Sequence, residues 1–343
     1  MTVGSASNDG RVETDERSVS TYGGRPVRSY HGQPVIKEPV WTWEIPVYLY
    51  TGGLAGASAG LAHLAELRGE RVLARRAWAV ALAANGVSPL LLMADLGRPL
   101  RALNMFRMFK VTSPMSVGSW ILLANGNATG LAAANAWLGL FPRLAAVAAP
   151  AAATLGLSLS TYTAALIANT AVPVWHQARR ELPVVFAAGA ALSAGAAAMA
   201  ATPPRHAAAA RRLALGGALF ELGSKEVMQR RLGELGEPYR HGAPALFGHL
   251  SRGCLAVGGL LAAGPARRSR PAAVAAGALL SAGALAARWS VFKAGFASAA
   301  DPRYVVGPQR AGIERGERRG GARRQARVSQ PDPRRGSPAT TLA

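Results

Sequence analysis

The sequence DLGRPLRALNMFRMFKVTSPMSVGSW, at residues 95–120, joins two long apolar runs at residues 77–96 and 114–140. Each run is long enough to cross the hydrocarbon core of a bilayer, which takes about 20 apolar residues in a helix. The joining segment is cationic, and Ser113 followed by Pro114 has the pattern of an N-cap and a first-turn proline. Because charges beside hydrocarbon are costly, this polar hinge predicts a role for its charged residues.

Similar apolar runs continue along the chain and predict the fold class. The eight runs lie at residues 43–66, 77–96, 114–140, 144–170, 182–202, 207–223, 250–266 and 272–297. They predict an all-α integral membrane protein with eight transmembrane helices. A polar break between Trp175 and Pro183 divides them into two four-helix bundles. The predicted domains are a polar N-terminal tail at 1–40, the bundles at 41–176 and 182–298, and an Arg-rich disordered tail at 299–343.

The charge is strongly basic, with 39 Lys and Arg against 18 Asp and Glu and a formal net charge of +21. The basic residues fall mostly in loops and tails, which is typical of membrane flanks. Solvated loops in contact with membrane lipid therefore explain the charge better than nucleic-acid binding. The Arg-rich C-terminal tail, and with it the N-terminus of an eight-helix protein, is expected on the cytoplasmic side of the plasma membrane.

The few possible metal ligands argue against a redox metal in this chain. Cys254 is the single cysteine, which excludes an intrachain disulfide and an iron–sulfur cluster ligated by this chain alone. The histidines lie near predicted helix ends or in the tail, so no pair faces another inside the bilayer as a haem would require. We therefore expect no haem, no iron–sulfur cluster and no metal site.

Three charged residues near helix ends are candidates for chemistry. Asp95 and Arg98 are three residues apart at the end of the second run, close enough to pair across the helix end. They form either a structural ion pair or a site for proton transfer or ligand binding. Glu44 lies just inside Trp41 and Trp43, whose spacing is typical of an aromatic belt at the membrane surface. Asp95 and Glu44 are the candidate proton acceptors.

The segment from residue 100 to residue 111 predicts a short interfacial helix with a basic side. Arg101, Arg107 and Lys110 recur there between apolar residues. Two interpretations stay open for these three residues, namely anchoring to lipid phosphate and docking of a partner subunit.

Polar side chains also occur inside the apolar runs. In the fourth run, Tyr162 lies among hydroxyl residues and could donate a hydrogen bond to a quinone carbonyl, or these groups could simply bond to their own helix. Glu221 lies in the shortest run, so a surface position is one alternative for it. The stripe of Gly52, Gly53, Gly56 and Gly60 predicts close helix packing and not a binding site.

Several of these motifs together resemble the NrfD/PsrC family, the membrane subunits of polysulfide reductases. The resemblance rests on WTWEIP at 41–46 with Tyr48, on DLGRP at 95–99 and SPMSVGSW at 113–120, and on Tyr162-Thr163 and VPVW at 172–175. GEPY at 236–239 and ADPRY at 300–304 continue it, so that it covers residues 40 to 310. Relatives with a histidine before the first Trp pair differ from this chain, which has Val40 there.

The resemblance implies an eight-helix subunit that binds menaquinone or ubiquinone without haem and serves electron transport in anaerobic respiration. It implies a four-cluster iron–sulfur protein and a molybdopterin catalytic subunit as partners, so that the chain would not be catalytic alone. Tyr162 is the residue that it assigns as a quinone hydrogen-bond partner, with Tyr48 and Arg98 in the same quinone-binding region. The terminal substrate and the direction of electron flow stay open.

Two other functions also fit the residues. A secondary transporter or ion channel could use Asp95, Glu221 and the polar residues of the fourth run as a path, although neither inverted repeats nor matching helix breaks are evident. A purely structural anchor, in which a quinone site has decayed, is the third possibility.

Overall fold

The computed structural model describes residues 21–22, 25–26, 35–95 and 104–314. Within them the strands β1 (Thr21–Tyr22) and β2 (Arg25–Pro26) pair in antiparallel fashion. The α-helices of these residues are α1 (Glu44–Leu67), α2 (Arg71–Asp95), α3 (Pro114–Leu138), α4 (Pro142–Ala168), α5 (Pro173–Gln177), α6 (Leu182–Ala201), α7 (Ala208–Leu232), α8 (Gly242–Ala263), α9 (Arg270–Ala300) and α10 (Arg303–Glu314). Short 3-10 segments lie at Pro204–His206, Gly233–Arg240 and Pro265–Arg267.

Contacts divide the chain into two units, which are residues 36–300 and the terminal residues 1–35 with 301–343. In the terminal unit, α10 contacts β1. In residues 36–300, α1 packs on α2 and α4, and α3 packs on α2 and α4. Further along the chain, α6 packs on α7 and α9, α8 packs on α9, and α6 also contacts α1, α2 and α4.

Each predicted apolar run corresponds to one long helix, but several helices extend beyond their runs. The α2 helix begins at Arg71 and not at residue 77, α7 continues to Leu232, and α8 begins at Gly242. The apolar run marks the part of a helix suited to hydrocarbon, whereas backbone hydrogen bonding continues through polar turns at either end. Ser113 caps α3 as predicted, because its side chain accepts from the Ser116 amide.

The predicted all-α membrane class is confirmed, since five helices of the described residues are long and apolar enough to cross a bilayer. These are α2, α4, α6, α8 and α9. The α1 and α3 helices contain many Gly, Ser, Thr and Asn residues, and α7 carries several charges, which lowers their hydropathy. Crossing of the membrane by these three helices stays a prediction.

Small residues bring helix backbones into direct contact. A Cβ on Gly56 of α1 would lie 2.2 Å from the carbonyl oxygen of Gly156 in α4, so only glycine fits at this crossing. A Cβ on Gly53 would lie 3.2 Å from the side chain of Ala190 in α6. The packing role predicted for the glycine stripe is confirmed at these two positions.

The interfacial helix predicted over residues 100–111 is wrong for the part that the structure describes. Residues 104–106 form a single 3-10 turn, and residues 107–110 are not helical. The Ser116 hydroxyl accepts from the Lys110 amide and donates to the Met108 carbonyl, which holds this segment as a loop. A side chain that satisfies backbone groups in this way competes with helix formation.

Candidate functional site

The two predicted proton acceptors lie together at the start of α1 and the end of α2. Asp95 Oδ1 accepts from the Thr42 amide at 3.4 Å and lies 3.3 Å from the Thr42 hydroxyl. The same hydroxyl also lies in hydrogen-bond contact with Glu44 Oε2. Because a hydroxyl has one hydrogen, it donates to only one of the two carboxylates at a time. Thr42 therefore links Glu44 and Asp95 into one group, which we call the carboxylate pair.

Arg98, the predicted ion-pair partner of Asp95, lies outside the described residues. Arg101 lies outside them as well. The two remaining docking candidates, Arg107 and Lys110, are exposed on the loop between α2 and α3. Around them Met108, Phe109 and Val111 are exposed too. The loop therefore presents basic and apolar side chains side by side, a combination suited to the membrane surface or to a partner.

Tyr48 and Tyr162, here called the tyrosine pair, meet in the interior of the first four long helices. Tyr48 on α1 is fully buried, and Tyr162 on α4 is nearly so, within one hydrophobic cluster. Their hydroxyls are close enough to interact, but Tyr48 Oη makes no hydrogen bond of standard geometry with any described residue. A buried hydroxyl without such a bond is costly, so this pair is suited to binding a polar ligand.

Neighbouring residues fix the positions of the two tyrosines. A Cβ on Gly118 of α3 would lie 1.7 Å from Cζ of Tyr162, so the tyrosine ring occupies the space that a larger residue would fill. Glu44 precedes Tyr48 by four residues, which places both on one face of α1. The backbones of Glu44 and Tyr48 are therefore about one helical turn, roughly 5 Å, apart along the axis of α1.

A cavity of about 510 Å³ lies between α2 and α3 beside this cluster, and we call it the α2–α3 cavity. Leu92, Leu122 and Met105 line it and also belong to, or pack on, the cluster that holds the tyrosine pair. Its polar lining comes from Asn85, Ser119 and Asn127. The volume falls in the range of small-molecule sites. Our sequence interpretation missed Asn85, although a lone amide in an apolar run was a visible signal.

A second buried polar group lies between α6, α7 and α9. Glu221 is 1% exposed and Arg288 is 2% exposed, with 3.7 Å between Oε1 and Nη1. Arg288 also donates to the carbonyl of Phe186 at 2.9 Å and lies over the Phe186 ring. The surface position considered for Glu221 is wrong, because α7 continues for about three turns beyond it. The sequence interpretation missed Arg288, one of two charged residues in the apolar run at 272–297.

Metal ligands do not gather in the part of the chain that the structure describes. Within residues 35–95 and 104–314, no group of three or more His, Cys, Asp and Glu side chains could hold a metal ion. The polar groups described above are hydroxyls, carboxylates, amides and one guanidinium. These groups are suited to hydrogen bonding and proton transfer to an organic ligand.

Comparison with known proteins places the chain in a family. A family model described as polysulphide reductase, NrfD, matches residues 30–212, more than half of the chain. No curated protein matches the chain. The matched range contains the carboxylate pair, the tyrosine pair and the α2–α3 cavity, and it ends in α7 before Glu221. The chain therefore belongs to the NrfD polysulphide reductase family, whose members are membrane subunits of respiratory oxidoreductase complexes.

Proposed function

We propose that this chain is the quinone-reactive membrane subunit of a respiratory oxidoreductase complex. The observation that carries the proposal is the tyrosine pair, in which the fully buried Tyr48 hydroxyl lies beside Tyr162 without a standard hydrogen bond to any described residue. A phenol can donate to a quinone carbonyl or accept from a quinol hydroxyl. The ligand of this site is menaquinone or ubiquinone, and its reactive chemistry is the exchange of two electrons and two protons.

The carboxylate pair is the proposed proton acceptor for that exchange. Oxidation of a quinol releases two protons with two electrons, so the site needs a group that accepts protons and a route for them to leave. Glu44 lies on the same face of α1 as Tyr48, and Thr42 links it to Asp95. Protons from the tyrosine pair therefore pass to Glu44 and Asp95 at the exposed end of the helices. Arg98 is assigned to the same region from the sequence motif.

The two electrons released by quinol oxidation go to a partner subunit. We assign that role to a four-cluster iron–sulfur protein, which serves a molybdopterin catalytic subunit. Arg107 and Lys110, with Arg101 from the sequence, are the proposed docking residues for this partner or for lipid phosphate. Their loop exposes apolar side chains beside the two basic residues, which supports a contact surface there.

In the proposed topology, α1 to α4 and α6 to α9 each form a transmembrane four-helix bundle in the plasma membrane. The bundles correspond to residues 41–176 and 182–298, with tails at 1–40 and 299–343 on the cytoplasmic side. The pairwise packing of α1 with α2 and α4, and of α6 with α7 and α9, supports this division. The Arg-rich C-terminal tail supports the orientation.

One observation favours a second function, passage of protons or another ion through α6 to α9. Glu221 is buried beside Arg288, and a cavity of about 310 Å³ lined by Glu221, Lys225, Gln229 and Arg252 adjoins it. Buried ionisable residues in membrane helices commonly mark such paths. Proton flux into liposomes that contain the purified chain, compared between wild type and Glu221→Gln, tests this second function.

Gentle purification from membranes tests the quinone function. Mass spectrometry identifies the chains that copurify, and solvent extraction identifies bound quinone. We expect an iron–sulfur chain with four cluster motifs, a molybdopterin subunit and menaquinone or ubiquinone. A lone polypeptide that carries no quinone would contradict the proposal.

A further inference from the structure

The α2–α3 cavity is lined by uncharged residues only, among those that the structure describes. Its apolar lining includes Leu92, Met93, Leu122, Leu123 and Leu131. Among these described lining residues a charged lipid headgroup would find no counter-charge, and its desolvation would be costly. The walls instead suit a neutral ring with a hydrocarbon tail.

Asn85 can accept hydrogen bonds from a ligand in the cavity, but both of its amide hydrogens are already used within the protein. Its Nδ2 donates to the Ala81 carbonyl at 3.0 Å and to Asn125 Oδ1 at 3.1 Å, which uses both amide hydrogens. The orientation follows from the network, because Asn125 Nδ2 donates to the Ala152 carbonyl at 2.9 Å and so turns its own oxygen toward Asn85. Asn85 Oδ1 is therefore the atom left over.

That leftover oxygen lies at the wall of the cavity. Asn85 is 6% exposed, and its Oδ1 has no hydrogen-bond donor among the described residues. A Cβ built on Gly126, which also lines the cavity, would meet this oxygen at 3.8 Å. The side-chain oxygen of Asn85 therefore remains available as an acceptor.

Ser119, on the opposite helix, is likewise an acceptor only. Its hydroxyl hydrogen is used in a bond to the Met115 carbonyl at 2.8 Å, so its oxygen can only accept a further bond. Asn127, exposed at the rim, uses one of its two amide hydrogens on the Leu123 carbonyl. The two buried polar groups of the lining, Asn85 and Ser119, are thus complementary to a ligand that donates hydrogen bonds, whereas the exposed Asn127 keeps one amide hydrogen that can donate.

The two redox forms of the proposed substrate differ in this property. An oxidised quinone carries carbonyl oxygens, which accept, whereas a reduced quinol carries hydroxyls, which donate. We propose that the α2–α3 cavity is a binding site for the reduced quinol, with a quinol hydroxyl donating to Asn85, and that it discriminates against the oxidised quinone. This inference rests on the proposed function, since it takes the substrate class from there. The tyrosine pair, whose hydroxyls can both donate and accept, remains the proposed site of the redox reaction.

The test compares the binding of decylubiquinol and decylubiquinone to the full chain in nanodiscs, under anaerobic conditions, by titration calorimetry. We expect the wild type to bind the quinol about tenfold more tightly, the difference that one added hydrogen bond provides. Gly126→Leu places a side chain in the cavity beside Asn85 and should remove this preference. The matched control is Gly86→Leu on α2, because Gly86 is exposed, does not line the cavity and has no atom within 4 Å of its Cβ position.

A second variant covers the case in which Gly126→Leu fails to fold. Asn85→Leu removes the acceptor without adding a charge, and it should lower the affinity for the quinol while leaving that for the quinone unchanged. Equal affinity of the wild type for both forms, or a preference that survives both substitutions, would overturn the inference while the quinone function stands. If Tyr162→Phe weakens quinone binding but the cavity variants displace only phospholipid, the cavity is a lipid site and the inference fails. Absence of binding by either form would overturn the proposed function as well.

Discussion

Arg288 of α9 and Glu221 of α7 form a buried ion pair, with 3.7 Å between Nη1 and Oε1. The pair is enclosed by α6, because a Cβ on Gly189 would lie 2.4 Å from Glu221 Oε1 and 2.6 Å from Arg288 Nη2. At this separation the two groups attract each other, but neither carboxylate oxygen makes a hydrogen bond with a described residue. Because Gly189 of α6 has no side chain, it leaves the space that the two opposite charges occupy between the helices.

Loss of one member of this pair should destabilise the protein strongly. Arg288→Met removes the guanidinium that pairs with the buried Glu221 carboxylate and leaves Lys225 as the remaining nearby cation, and the loss of one partner of a buried pair costs about 3–5 kcal/mol. We expect a clear fall in the melting temperature of the detergent-solubilised protein. The double variant Arg288→Met with Glu221→Gln should recover part of that loss, because the carboxylate that lost its guanidinium partner is then neutral.

The matched control is Arg230→Ala, which removes an ion pair with Glu226 on the exposed part of α7. Exposed pairs contribute little to stability, so this variant should melt like the wild type. If Arg288→Met also has the melting temperature of the wild type, water reaches Glu221 and Arg288, and the two residues are not buried in the protein.

The buried Tyr48 hydroxyl, which faces Tyr162 without a hydrogen bond of standard geometry to a described residue, leads to a prediction in which stability and activity separate. Tyr48→Phe removes no hydrogen bond of standard geometry with a described residue, so the free energy of unfolding should stay equal or rise slightly. If the hydroxyl binds quinone, the rate of quinol oxidation in the purified complex should fall about a hundredfold or more, as for the loss of a proton-transfer group.

A second buried tyrosine provides the control for Tyr48. Tyr239 also has a buried hydroxyl without a described hydrogen-bond partner, but it lies in the 3-10 segment after α7. Tyr239→Phe should leave quinol oxidation unchanged. Equal activity of both variants would place the quinone away from Tyr48.

The position of Tyr162 should depend on the lack of a side chain at Gly118. Gly118→Ala introduces a methyl group where the tyrosine ring lies, and such overpacking costs about 1–3 kcal/mol. We expect lower thermal stability together with weaker quinone binding. Gly130→Ala on the same helix is the control for stability, because no atom lies within 4 Å of its Cβ position, and its melting temperature should stay equal or rise.

The sequence predicted the long helices well because the apolar composition of a membrane helix is visible in the residues of that helix alone. A run such as residues 182–202 must be apolar on every side to lie among hydrocarbon and other helices, and α6 matches it within one residue. The start of α2 at Arg71 was not predicted, since its first turns are polar. Hydropathy alone cannot tell a polar turn of helix from a loop.

The sequence predicted which site residues lie together only where a motif or a short spacing along one helix indicates it. Glu44 and Tyr48 share a face because they are four residues apart, which the sequence states directly. The contact of Thr42 with Asp95, and the pairing of Glu221 with Arg288, join residues far apart in the chain. Such contacts depend on how helices pack, and a single sequence gives no measure of that packing.

Asp95 provides the last prediction, which separates a role in proton transfer from a role in holding α1 against α2. Asp95→Asn keeps the oxygen that accepts from Thr42 but removes the negative charge. If Asp95 receives protons, quinol oxidation should slow about a hundredfold while the complex still assembles with its iron–sulfur partner, as judged by size-exclusion chromatography. Thr42→Val is the complementary change, because it removes the linking hydroxyl but keeps both carboxylates, and it should lower stability by about 1 kcal/mol. Thr42→Ser should restore the wild-type behaviour, since it returns the hydroxyl. Loss of assembly in Asp95→Asn would instead assign Asp95 to the junction between the two helices, and Glu44 would then be left as the proton acceptor on the face of Tyr48.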